Sequence, residues 1–257
     1  MLTTVNRAGR VLDLFSDELP EWGATAVARE LAIAKSQAHE MLVSLAAIGL
    51  LQLVGPGRYR LGWRIVALNS SLLSTHQVAT NAVPVVRALL GRYDETIQLA
   101  VWASGTPICV AVWEGSREDA SPWASGAVLP AHCTAAGKLL LAGRPAEEID
   151  EIVATEGLVR MTERTITTRD DLQRELSRVR RRGVAHDDEE HTCGICGVAA
   201  PIRDSNGEVV AALSMSVPAR RWCHAANVYT RALAGAAASA SRLIRRSGDP
   251  GWPLDDG

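Results

Sequence analysis

Apolar residues recur three or four positions apart over the first 50 residues, and this spacing predicts a small core of three helices. The positions expected to face that core are Val5, Ala8, Leu12 and Phe15 in the first helix, Val27, Ala28 and Leu31 in the second, and Ala38, Met41, Leu42 and Leu45 in the third. Thr25 and Ser36 are residue types that cap helices, and Gly49 is suited to end the third helix. This order, with a tight turn at 32–34, is typical of a helix-turn-helix.

Two short apolar runs follow the third helix, at 50–54 and 58–61, and Gly55-Pro56-Gly57 between them favours a chain reversal. A hairpin in this place is a wing, so residues 1–62 are predicted to form a winged helix-turn-helix domain that reads the major groove of duplex DNA. The residues predicted to contact DNA are Ser36, Gln37, His39, Glu40, Ser44, Arg58 and Arg60. The alternative is a helical bundle with solvated polar residues, and the hairpin with its alternating cations argues against it.

Residues 63–78 are predicted to form a linker helix with Ile65, Leu68 and Leu72 on one stripe. This stripe either packs on the first helix or pairs with a second subunit. Residues 79–247 mix helical and strand patterns, and residues 248–257 form a polar tail, so the fold class is α+β.

The last predicted strand carries two different faces. Leu213, Met215 and Val217 fall on one side, while Ser214 and Ser216 fall on the other, because side chains alternate along a strand. The apolar face is expected to be core. The hydroxyl face is either solvated or part of a binding pocket.

Four strings occur in a fixed order along nearly the whole chain: RYRLG at 58–62, LPAHCTAAGK at 129–138, DDEEH at 187–191 and VAAPIRD at 198–204. In this the chain resembles the IclR family of transcriptional regulators. The resemblance implies a GAF-like mixed α/β effector-binding and oligomerisation domain after the winged helix-turn-helix. It also implies a dimer, or a dimer of dimers, that binds a pseudo-palindromic operator and responds to a small-molecule effector.

The resemblance further implies that an organic acid or related metabolite is held by the positions matching Ala135, Ala136, Asp187, Gly197, Ser214 and Ser216. Hydroxyls and the free amides that begin a helix are good donors to a carboxylate. Asp187 would accept a proton from a ligand hydroxyl or amide. Taken without the resemblance, an acid in the run 187–190 is more often solvated.

The chain departs from the family at two positions. Gly197 stands where many members have a cysteine, with Cys196 one position earlier, so the pocket either loses its thiol or recovers it through a β-bulge. Glu40 stands where relatives commonly carry arginine. A carboxylate repels phosphate but can accept a hydrogen bond from cytosine N4, so Glu40 is predicted to read a base.

Charge and composition add to this interpretation. Residues 1–65 hold seven Lys or Arg and six Asp or Glu, so the predicted DNA-binding domain has a net charge of only +1 (7 − 6). Because affinity for DNA depends on the number of phosphates neutralised, two or four copies are expected to bind together. The apolar runs are short and interrupted by charge, which predicts no membrane span and a cytoplasmic location.

The sequence also bears on two other functional classes. Cys193 and Cys196, with His186, His191 and the pair His132-Cys133, suggest a metal- or redox-sensing transcription factor, although a second Cys-x-x-Cys pair is missing. An enzyme is not expected. The string at 135–139 is not a phosphate loop, since position 132 is not glycine and no Ser or Thr follows Lys138, and no Gly-x-Ser-x-Gly occurs. No cofactor is expected. An effector could release a repressor from DNA or strengthen the binding of an activator.

Overall fold

The computed structural model describes residues 3–116 and 124–247, and the chain forms two compact units, 1–75 and 76–257. The tail predicted at 248–257 lies outside the described residues. No helix in the described parts of the chain is long and apolar enough to cross a membrane.

The first unit is a winged helix-turn-helix. Its elements are α1 (Thr3–Leu12), β1 (Trp22–Gly23), α2 (Ala24–Glu30), α3 (Lys35–Ala47), β2 (Leu51–Gly55), β3 (Arg58–Leu61) and α4 (Arg64–Thr75). The three strands form an antiparallel sheet in the order β1-β3-β2. Its core is built from Val11, Trp22, Val27, Leu31, Ala38, Leu42, Leu45, Leu51 and Tyr59. Gly49 follows α3 with a φ of 78°, in the left-handed region that suits glycine, as the sequence predicted.

The predicted helix caps are wrong. The N-cap residues are Gly23 for α2 and Ala34 for α3, and neither makes a side-chain capping bond, so Thr25 and Ser36 lie within the first helical turns. For α2 the reason is the short strand β1, which the sequence pattern did not reveal. Gly23 pairs with Arg58, and a Cβ at Gly23 would lie 2.9 Å from the Gly57 carbonyl oxygen, so an extended glycine must precede the helix.

The apolar face predicted for α1 is also partly wrong. Val5 is 63% exposed, whereas Val11 is fully buried and makes the main core contact of this helix. Ala8, Leu12 and Phe15 pack at the margin of the core. A helix was therefore predicted correctly at this place, but its buried side is centred on Val11, and Phe15 lies beyond its last residue.

The second unit is a five-stranded antiparallel sheet with helices on both faces. Its elements are α5 (Gln77–Tyr93), β4 (Thr96–Ala103), β5 (Thr106–Trp113), α6 (Ala135–Leu141), α7 (Ala146–Glu156), α8 (Arg169–Arg182), β6 (Ala185–Asp188), β7 (Ile195–Arg203), β8 (Val209–Pro218) and α9 (Ala219–Ser247). The strand order is β5-β4-β8-β7-β6. Helices α5 and α9 cover one face, and α6 and α8 cover the other.

The alternation predicted for the last strand is confirmed. Leu213, Met215 and Val217 are fully buried in the core beneath α5 and α9. Ser214 is also buried, but it lines a cavity near the start of α6. The hydroxyl face of β8 is therefore not a solvated surface.

Candidate effector cavity and DNA-binding face

A small enclosed cavity lies between the central strands and the start of α6 in the second unit. All six residues predicted to hold the effector line it: Ala135, Ala136, Asp187, Gly197, Ser214 and Ser216. Four further lining residues were not predicted to hold the effector: Gln98, Leu129, Thr134 and Met215, the last of which has its side chain in the core beneath α5 and α9. The cavity volume is about 20 Å³, roughly the room that one water molecule needs.

Strand register explains why residues so far apart in the chain meet here. Gly197 on β7 pairs with Asp187 on β6 and with Ser216 on β8, so these three residues form one row across the sheet. Gln98 on β4 pairs with Ser214 and extends the polar surface by one strand. The row faces α6 because side chains of paired residues share one side of a sheet.

Gln98 connects the two cavity serines. The Ser214 hydroxyl donates to Gln98 Oε1 at 3.2 Å, and Gln98 Nε2 donates to the Ser216 hydroxyl at 3.4 Å. The signal that could have found Gln98 is a single amide in the apolar strand TIQLAVWA, where a buried polar side chain requires a partner.

The first turn of α6 forms one wall of the cavity. Thr134 caps the helix, since its side chain accepts from the Gly137 amide at 3.1 Å. Gly137 is required because a Cβ there would lie 2.7 Å from the Pro130 carbonyl oxygen. The amides of Ala135 and Ala136 belong to the first helical turn, where amides have no acceptor within the helix, and such groups suit an anion.

Asp187 is the acidic group of the cavity, and it is 8% exposed. Its Oδ1 accepts from the backbone amides of Glu190 at 2.7 Å and His191 at 3.4 Å. Burial raises the pKa of this carboxyl to about 7, with a further contribution from the negative charge of Glu190. Asp187 therefore changes charge close to neutral pH.

A buried ion pair lies behind Asp187, and the sequence did not predict it. Lys138 on α6 is fully buried, and its Nζ contacts Glu190 Oε1 at 2.5 Å. The hydroxyls of Thr162 and Thr165 donate to the Glu190 carbonyl oxygen at 3.1 and 2.6 Å. These contacts anchor the segment that holds Asp187 at the cavity wall.

The strand pairing decides whether the cavity loses its thiol at Gly197 or recovers it through a β-bulge. Pairing between β7 and β8 is regular from Ile195 to Ile202, so the bulge that would return Cys196 to the cavity does not form. Cys196 is buried away from the cavity, and its Sγ donates to Asp188 Oδ1 at 3.6 Å. The cavity has lost the thiol, and Gly197 supplies only backbone to its wall.

The described residues do not form the metal site that the metal-sensing alternative requires. Cys193 is exposed while Cys196 is buried, and no group of three or more His, Cys, Asp or Glu residues within 3–116 and 124–247 is arranged to hold a metal ion. His186 bonds to the Thr230 hydroxyl and His132 to the Val159 carbonyl oxygen instead. The expected thiolate and imidazole cluster does not assemble in this part of the chain.

The residues predicted to contact DNA are all exposed, and five of the seven border two grooves beside α3. Gln37, Glu40 and Ser44 border a groove between α3 and α1. His39 lies on the other flank of α3, in a groove that includes Arg58 of the wing. Ser36 is exposed in the first turn of α3, and Arg60 is exposed on β3 opposite Gln52. Tyr59, between the two wing cations, points into the core.

A winged helix-turn-helix followed by a sheet domain with an enclosed polar cavity is the architecture of a bacterial transcriptional regulator. The family model described as the bacterial transcriptional regulator IclR C-terminal domain matches residues 70–242, and the IclR helix-turn-helix domain matches residues 4–55. The chain therefore belongs to the IclR family of transcriptional regulators, which are not enzymes.

Individual relatives agree with this assignment. The chain is 28% identical to the HTH-type transcriptional regulator XynR of Escherichia coli over 217 residues, which cover 84% of this chain and 86% of XynR. It is 31% identical to the HTH-type transcriptional regulator Rv1719 of Mycobacterium tuberculosis over 222 residues, covering 86% and 84% of the two chains. A solved IclR homolog from Microbacterium hydrocarbonoxydans, complexed with 4-hydroxybenzoate, is 26% identical with a TM-score of 0.78, covering 95% of this chain and all of that one.

Proposed function

We propose that the chain is a sequence-specific DNA-binding regulator whose operator affinity is controlled by a small organic acid, or a related metabolite, bound in the cavity of the second unit. The observation that carries this proposal is the convergence of all six predicted effector residues on one enclosed cavity. They come from α6 and from three strands, and ligand sites in proteins typically bring a few polar groups from separate elements together in one cavity.

The chemistry of the cavity favours a carboxylate ligand. Ser214, Ser216 and Gln98 offer hydroxyl and amide groups, and the first two residues of α6 line the same space. A carboxylate can accept hydrogen bonds from all of these groups. The homolog solved with 4-hydroxybenzoate supports an aromatic acid as the first compound to test.

Binding is expected to be coupled to a change of shape. Ligand pockets usually measure about 300–1,000 Å³, whereas this cavity has room for about one water molecule. An effector must therefore favour a more open arrangement of the cavity walls over the closed one. Such differential binding is the thermodynamic requirement for an effector that alters affinity at the DNA-binding face of the first unit.

The exposed apolar surface of α4 supports a proposal of self-association. None of its 12 residues is buried within the described structure, and the exposed fractions are 57% for Val66, 52% for Leu68 and 45% for Leu72, with Trp63 just before the helix at 76%. A helix of this length is marginal unless it buries an apolar face. We therefore propose that α4 packs against a second copy, giving a dimer or tetramer that binds a pseudo-palindromic operator.

The proposal is tested by incubating the purified chain with sheared genomic DNA from its own source and sequencing the recovered fragments. Enrichment of a palindromic motif beside one set of genes is the expected result. A variant with both wing cations replaced, Arg58→Ala with Arg60→Ala, serves as the control for retention that does not depend on the wing. If a folded wild-type chain enriches no motif, with or without the candidate acids, it is not a sequence-specific regulator.

The affinity for a carboxylate effector is expected to fall as pH rises through about 7. Asp187 has a pKa raised to about 7, so it is neutral below this pH and negatively charged above it, where it repels the ligand. With one proton taken up on binding, the decrease is about tenfold per pH unit above 7. Calorimetric titration with 4-hydroxybenzoate, or with the tightest binder from a panel of small organic acids, measures this dependence.

The variant Asp187→Asn separates this effect from titration of the ligand or of other groups. It should bind the same acid with little dependence on pH between 6 and 8. The free energy of unfolding should also fall as pH rises. The protonated Asp187 carboxyl favours the folded state, and this contribution is lost as pH rises from the ordinary pKa of 3.8 through the raised pKa of about 7. A wild-type pH profile in Asp187→Asn would contradict the assignment.

Replacing Glu40 with arginine is expected to change which sequences are bound. Glu40 is exposed on α3. If its carboxylate accepts from a cytosine, Glu40→Arg alters the preferred base at one operator position by about 1–3 kcal/mol of discrimination. Selection from a random-sequence duplex library measures the preference of both chains. Uniformly tighter binding with an unchanged motif would show that Glu40 is only a repulsive neighbour of the DNA.

A further inference from the structure

The first unit contains an open groove whose walls come from three separate segments of the chain. The junction of β1 with α2, the first turns of α3 and the beginning of β3 surround a volume of about 570 Å³. Three cations line it, namely Arg29 from α2, Lys35 from α3 and Arg58 from the wing, and His39 lies beside them. These four side chains are exposed. We call this feature the cationic groove.

The charge of the cationic groove is not balanced by acids. Among the described residues, no carboxylate lines it, and neither Arg29 nor Lys35 forms an ion pair. Arg58 contacts Glu21 at 3.6 Å, but the two side chains are 54% and 41% exposed, and such a pair contributes little to stability. Arg58 can therefore leave Glu21 for a stronger anionic partner.

The cationic groove concentrates positive charge in a first domain whose net charge is low. Residues 1–65 carry only +1 overall, yet three of their seven cations share this one concave surface. A phosphate responds to the local concentration of positive charge rather than to the domain total. Sequence counting could not show this concentration because the three residues come from different segments.

We propose that the cationic groove binds a backbone phosphate of duplex DNA, with Arg29 and Lys35 as contact residues alongside Arg58. The inference rests on the proposed function, since it supplies the site that fixes the domain on DNA. Lys35 is the first residue of α3, so a phosphate held there lies next to Ser36 and the base-reading face. Phosphate contacts set the register from which base contacts are made.

The test is the salt dependence of binding to a mixed-sequence duplex of about two dozen base pairs, measured by fluorescence anisotropy with the full chain over a range of KCl concentrations. Arg29→Gln and Lys35→Gln should each lower the slope of log K against log salt by about 0.9 per contact removed, and weaken binding to all sequences alike. Arg10→Gln is the matched control, because Arg10 is exposed on α1, outside the groove. It should leave the slope unchanged.

The outcomes separate the groove from the wider function. If wild type shows a steep salt dependence and the groove variants behave like Arg10→Gln, phosphates are bound elsewhere and the groove proposal is overturned while the regulator proposal stands. If wild type shows no salt-dependent binding to any duplex, both proposals fail. Circular dichroism and thermal unfolding of each variant confirm that the exposed substitutions leave the fold intact.

Discussion

Replacing Lys138 with methionine should lower the free energy of unfolding by about 3–5 kcal/mol, because it leaves the Glu190 carboxylate buried without its cation. Lys138 is fully buried, and the side chain of Glu190 is only 11% exposed. Glu190 Oε2 has no hydrogen-bond partner, so the ion pair through Oε1 is the main compensation for its charge. Asp187, which is nearby, would add repulsion above neutral pH. Denaturant unfolding followed by tryptophan fluorescence measures the loss.

Two control variants test whether the loss of stability comes from the broken ion pair. Lys35 is the other lysine of the chain and is exposed, so Lys35→Met should change stability by less than about 0.5 kcal/mol. The double variant Lys138→Met with Glu190→Gln removes both charges and should recover most of the loss, since a buried pair can be replaced by neutral groups at little net cost. Equal losses in the single and double variants would mean that packing around Lys138 matters and the ion pair does not.

Replacing Gly197 with leucine should abolish the response to the effector while leaving DNA binding intact. A Cβ at Gly197 would lie 3.3 Å from the Ala135 Cβ and 3.4 Å from the Asp187 Cβ, so one carbon is just accommodated and a larger side chain occupies the ligand space. Overpacking of this kind also lowers stability, by about 1–3 kcal/mol. DNA release or tightening by the panel of organic acids, measured by anisotropy, reports the response.

Substitutions of increasing size at Gly197 test whether the effector binds in this cavity. Gly197→Ala should retain a weakened response, whereas Gly197→Leu should have none. Gly91→Leu adds the same atoms to α5 at a position with open space around it, and it should respond as wild type does. A full response in a folded Gly197→Leu variant would place the effector outside this cavity.

The sequence indicated much of the cavity, with strand periodicity giving the two faces of β8 and the family resemblance assigning its hydroxyl face to a binding pocket. The alternation in β8 separated Ser214 and Ser216 from the core residues between them, and the structure confirms both faces. The wing and its turn were equally clear, since the glycines and proline at 55–57 carry a local conformational signal. These features depend on neighbours a few residues away, which is the range over which sequence patterns are informative.

Features that depend on distant partners were missed. Gln98 bonds to a serine 116 positions away, and Lys138 pairs with a carboxylate 52 positions away. No local period indicates either partner. The predicted caps at Thr25 and Ser36 failed for a related reason, because residue type alone favoured them, while the pairing of Gly23 with Arg58 fixed where α2 begins.

The amino-acid sequence by itself determined the family, the order of the two domains and which face of the last strand carries hydroxyls, because these follow from local periodicity and from motifs in a fixed order. Only the tertiary structure decided that six predicted residues share one cavity, that Cys196 points away from it, and that three cations meet in one groove of the first unit. Burial and pairing across the fold set these outcomes. They also raise the pKa of Asp187 to about 7, since the desolvation of a charge depends on everything packed around it.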